Sequence, residues 1–141
     1  MQVGDDQVAA LRALLNKDFD EHKRLTRLLD DDGMRDYMAL VTAAFLEAVD
    51  RRFENASIPS AVVEYVGQVR SRNPKAAEAV DPVIAERVLL KALGQGSLSD
   101  LSGRDIRRAQ NLLLPILVDD EHLDDAGIDA ILAAARKLAQ S

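Results

Sequence analysis

Residues 112–118, Leu-Leu-Leu-Pro-Ile-Leu-Val, form the longest uninterrupted apolar run in the chain, and they restrict the possible folds more than any other feature. Apolar at every position, the run has no polar face to offer to water as a helix, so neighbours must cover it on several sides. Seven apolar residues would also suit a short buried strand. The preceding residues decide for helix: Ile106, Ala109, Gln110, Leu113 and Leu114 recur at helical spacing, and Ser102, three residues before Asp105, is placed to cap an N-terminus. The expectation is a helix over residues 103–118, bent at Pro115, which donates no hydrogen bond and crowds the carbonyl of Asn111. The bend is read as a packing adjustment, the alternative being that the freed carbonyl lines a site.

Helical spacing recurs along the chain. Val8, Leu11, Leu15, Phe19, Leu25 and Leu29 predict one long first helix from Asp5 or Asp6 to the Asp30-Asp31-Asp32-Gly33 break, with Asp31 or Asp32 capping the next. That second helix, over residues 34–53, buries Met34, Met38, Val41, Phe45, Ala48, Val49 and Phe53 and turns Asp36, Ala39, Ala43, Glu47 and Asp50 outward. Residues 61–72 are rich in valine, but Val62, Tyr65, Val66 and Val69 follow helical spacing, not alternation. Gly67 in this segment suggests close approach of another helix. Asn73-Pro74 and Asp81-Pro82 each read as a cap followed by a first-turn proline, starting a short helix to Val80 and a longer one with Val83, Ile84, Val88 and Leu89 inward, closed by Gly94. A polar, glycine-containing loop leads to the apolar helix, and an acidic turn leads to a last helix over residues 126–140. The fold class is therefore all-α, a single-domain mixed or orthogonal bundle of six or seven helices spanning residues 1–141, with no β-sheet.

A chain of 141 residues buries roughly two-thirds of its unfolded surface and needs no metal or disulfide staple. Cysteine is absent, which removes disulfides and thiolate chemistry. The start, Met1-Gln-Val-Gly-Asp-Asp, has neither the basic residues nor the apolar stretch of a signal peptide, and no run approaches the roughly eighteen apolar residues of a membrane span. A cytoplasmic protein with no membrane partner is the expectation. The net charge of −6 opposes binding to a phosphate backbone and favours a basic partner.

Few residues suggest chemistry. Asp18 and His22 lie four apart on one helix, and Asp119, Glu121 and His122 share the acidic turn. These side-chain types ligate divalent metals or share protons, so Asp18, His22, Asp119 and His122 are the candidate metal ligands, weighed against helix caps and a packed histidine. No cofactor is implied. Arginines recur at Arg51-Arg52 and Arg107-Arg108, with Arg70, Arg72 and Lys75 as a third group, and these read as solvated helix faces. A helix-turn-helix over residues 81–109 is disfavoured because its central loop exceeds the usual turn and carries acids. Leu101-Ser-Gly-Arg-Asp-Ile-Arg-Arg-Ala109 resembles the start of a lid helix in AAA+ ATPases; the resemblance covers nine residues, and no phosphate-binding loop accompanies it.

These features favour a non-catalytic protein-binding domain, an adaptor, regulatory subunit or immunity-type inhibitor, with self-association into a homodimer as one form. Tyr37, Leu40, Leu46, Val63 and Leu90 look like apolar residues in excess of one small core. The alternative is a small-molecule or metal-binding bundle, with an enzyme as one form; a nucleic-acid-binding regulator ranks below both.

Overall fold

The computed structural model describes residues 3–141, and these contain eight helices and no strand. The helices are α1 (Asp5–Leu15), α2 (Phe19–Arg27), α3 (Asp31–Phe53), α4 (Ser60–Arg70), α5 (Pro74–Ala79), α6 (Pro82–Ala92), α7 (Gly103–Asp120) and α8 (Asp125–Gln140). The fold is all-α. The valine-rich segment lies in α4, with Val62, Tyr65, Val66 and Val69 all buried. No helix among the described residues is long and apolar enough to cross a membrane.

The count exceeds the expected six or seven because the first predicted helix is two. Lys17 takes a left-handed conformation, φ 60°; its N–H bonds the Leu14 carbonyl at 3.0 Å and the Asp18 N–H bonds that of Ala13 at 2.9 Å. This is a Schellman closure of α1. Glycine usually marks it, and lysine hides it. Asp18 then starts α2, its Oδ1 accepting the Glu21 N–H at 3.3 Å. After the break the helical register is lost, so Phe19 is 54% exposed instead of continuing the buried stripe.

The described chain forms two compact units, one of residues up to Ala48 with Leu114–Ser141, the other Val49–Leu113. In the first, α1 packs against α2 and α8, and Leu11, Leu14, Leu40, Phe45, Leu117 and Ile131 are all buried. Leu40 and Tyr37 are therefore not surplus apolar residues, and Ala43, assigned to the outer face of its helix, is buried too. Asp30, not Asp31 or Asp32, caps α3 by accepting the Gly33 N–H at 2.7 Å. Asp124 caps α8 through the Gly127 N–H at 2.8 Å.

In the second unit α4 packs against α5 and α6. Tyr65 meets Phe53 edge to face, ring centroids 5.6 Å apart, and the Arg52 guanidinium lies 4.7 Å from the Tyr65 centroid, a cation-π contact. Gly67 does not admit a neighbouring helix, since a Cβ there would meet nothing within 4 Å. Val83, expected inward, is 62% exposed. Gly94 closes α6 as expected, with φ 83° and its N–H on the Lys91 carbonyl. Arg87 pins the following loop to α6 by donating to both Asp100 carboxylate oxygens and, at 2.6 Å, to the Ser97 carbonyl.

The apolar run lies in α7, capped by Ser102 Oγ, which accepts the Asp105 N–H at 3.1 Å. Leu113, Leu114, Leu117 and Val118 are buried, as is Pro115, and the helix continues through the proline.

Candidate functional site

Within Val49–Leu113 a cleft of about 350 Å³ opens beside the corner between α5 and α6. Two cap-and-proline signals build that corner. Asn73 Oδ1 accepts the Ala76 N–H at 2.8 Å, Asp81 Oδ1 accepts the Ile84 N–H at 3.0 Å, and Val80 between the two helices is extended. An extended residue flanked by two capped helices sets their axes apart and leaves a hollow on one side. Val80, Ile84 and Ala85 line it together with Ala109, Leu112 and Leu113 from the first half of α7.

Two arginines border these apolar walls. Arg70, in the last turn of α4, donates through Nε to the Val80 carbonyl and through Nη2 to the Ala77 carbonyl, each at 2.9 Å. It thereby satisfies carbonyls that the end of α5 would leave unpaired, where the helix dipole also favours a cation. Its Nη1 makes no hydrogen bond among the described residues. Arg108 is exposed on α7 and likewise without a partner among them. Glu78, Asp81 and Asp105 complete the polar lining, Asp81 being engaged as a helix cap. Residues 70–81 and 104–113, which supply most of the walls, carry six basic side chains against three acidic ones. Those counts include arginines and a lysine that lie outside the lining; the lining itself is mixed, with Arg70 and Arg108 against Glu78, Asp81 and Asp105.

The candidate metal ligands occupy structural positions in the other unit. Asp18 caps α2. His22 Nε2 lies 2.7 Å from the Tyr37 hydroxyl, and burial pushes the His22 pKa down and that of Tyr37 up. Asp119 accepts from Lys17 Nζ at 3.3 Å, which brings the turn holding Asp18 to the end of α7. His122 is exposed there with φ 52°, its N–H on the Asp119 carbonyl at 3.0 Å. Among the described residues no three His, Cys, Asp or Glu side chains are grouped to hold a metal ion. A wide surface hollow lined by Arg136 and Gln140 is where those two side chains hold the Val3 backbone at 2.7 and 3.2 Å.

Sequence reasoning found Arg70 and Arg108 only as members of solvated basic groups. The signal that pointed to the cleft was the repeated cap-then-proline pattern, which predicts an angle between helices; the side chains that fill or border that angle depend on α7, distant in sequence. Neither Asn111 nor Pro115 lines the cleft. No protein-family model, no curated protein and no solved structure matches the chain.

Proposed function

We propose that the chain is a non-catalytic protein-binding helical domain, of the adaptor, regulatory or inhibitor kind, and that it takes its partner in the cleft between α4, α5, α6 and the first half of α7. The observation that carries this reading is an apolar hollow bordered by Arg70 and Arg108, with Arg70 held in place by two backbone carbonyls. A fixed guanidinium loses little freedom on binding, and apolar walls reward a side chain that leaves water. The segment that fits is apolar with a carboxylate placed for Arg70 or Arg108, since Glu78 and Asp105 in the same lining oppose a longer acidic run. This departs from the basic partner suggested by net charge, because individual charges at a site, not the total, govern what docks there.

Selection from a random peptide library on the immobilised protein tests the reading. Apolar residues beside a single Asp or Glu should be enriched, and the selected peptides should lose binding to Arg108→Glu, which reverses a border charge, and to Ala77→Phe, which fills the hollow. Peptides that bind both variants as well as the parent would contradict it. The cleft volume also lies within the roughly 300–1,000 Å³ of small-ligand sites, which favours as second reading a small molecule with an apolar body and a carboxylate. A thermal-shift series of aliphatic and aromatic carboxylates, with no peptide selected, would point that way.

A further inference from the structure

The lining of the cleft sorts its chemistry by depth. Val80, Ala85, Ala109 and Leu113 are buried, so the floor is apolar. Glu78, Asp105 and Arg108 are exposed, so charge of both signs sits at the mouth. These charges do not neutralise one another. Asp105 and Arg108 are three residues apart on α7, close enough to pair across one turn, yet neither side chain makes an ion pair or hydrogen bond among the described residues, and neither does that of Glu78. Arg70 adds a guanidinium fixed by two carbonyls, with its Nη1 uncommitted.

A lone carboxylate gains the arginines but approaches Glu78 and Asp105, a lone amine has the reverse difficulty, and an uncharged apolar molecule gains nothing from any charge at the mouth. One ligand class answers both signs and the apolar floor together: an apolar body whose carboxylate and ammonium are joined through a single carbon. We propose that the cleft binds a free α-amino acid with an apolar side chain, an inference that rests on the small-molecule reading of the cleft given above. The side chain enters between Ile84 and Leu112, the carboxylate pairs with Arg108 and with Nη1 of Arg70, and the ammonium donates to Asp105, one turn from Arg108. A cleft of about 350 Å³ lies at the small end of ligand sites, which suits a ligand of this size.

Isothermal titration calorimetry on the full chain tests this with leucine and with two analogues that each lack one charge, isocaproate without the ammonium and isoamylamine without the carboxylate. Leucine should bind with saturation, and each analogue should bind about tenfold or more weakly, the worth of one charge-assisted hydrogen bond. Asp105→Asn should bring leucine down to the affinity of isocaproate while leaving isocaproate level or tighter, and Arg108→Gln should weaken the two together. Arg70 is not substituted, since its loss would strand the Ala77 and Val80 carbonyls. Both substituted positions are exposed, and circular dichroism checks that each variant folds; the three ligands on the parent still decide the matter if one does not. An analogue that binds as tightly as leucine overturns the proposal, and where that analogue is isocaproate the small-molecule reading stands. An equal loss of leucine and isocaproate in Asp105→Asn overturns it too, since Asp105 then acts on the shape of the cleft and not on an ammonium. If neither leucine nor isocaproate binds, the proposal and the small-molecule reading fall together, and the protein-binding reading is judged by the peptide library alone.

Discussion

His22 Nε2 and the Tyr37 hydroxyl, 2.7 Å apart, join α2 to α3, and their rings lie 5.8 Å apart at a tilt of 48°. Burial disfavours the charged imidazole, so the folded pKa lies below the ordinary 6.5. Between those two values the unfolded chain binds the proton more readily than the folded one. The pair's contribution is therefore present above 6.5 and is lost as pH falls through the folded value. Urea titrations of the parent and of His22→Gln should show a stability difference that shrinks on acidification below that point. Parallel pH profiles would mean that His22 does not titrate under this constraint.

Lys17 holds a left-handed backbone that costs a residue with a Cβ about 1 kcal/mol relative to glycine. Its ion pair with Asp119 is exposed on both sides and is worth less than that. Lys17→Gly should accordingly raise stability by about 0.5–1 kcal/mol. A loss of stability, measured by denaturant midpoint at constant slope, would show that the Asp119 pair outweighs the backbone cost.

Gly67 occupies an exposed position inside α4, where an added Cβ meets nothing. Gly67→Ala should therefore stabilise the protein by about 0.5–1 kcal/mol, the helix-propensity difference between the two residues. A destabilised variant would show that the position requires glycine.

How much of this was legible in the sequence depended on whether a feature was local. Helix caps and prolines act over three or four residues, so Asn73, Asp81 and Ser102 marked true helix starts. Lys17 defeated the reading because a residue with a Cβ can take the left-handed cap when hydrogen bonds to Leu14 and Ala13 compensate. Periodicity fixed the buried faces of α4 and α7 but misplaced Phe19 and Val83, each at a helix start where the stripe has no preceding turn to align it. Arg70 and Arg108 were visible only as charges. Their common cleft follows from α7 returning beside α5 and α6, a long-range relationship that spacing does not encode.

Pro115 lies in α7 outside the cleft lining. Pro115→Ala returns a backbone donor to the helix and should leave stability level or higher, with the affinity of library-selected peptides unchanged. A drop in affinity with an intact fold would restore the view that the proline shapes the binding site.

Whether a partner segment is held in the cleft can be read from amide chemical shifts. Titrating isotope-labelled protein with a selected apolar peptide should move the resonances of Ala77, Val80, Ile84, Ala109 and Leu112 together, along one saturating curve, and Arg108→Glu should abolish the movement. Shifts concentrated instead around His22, Asp119 and His122, with those five residues unmoved, would contradict binding in the cleft.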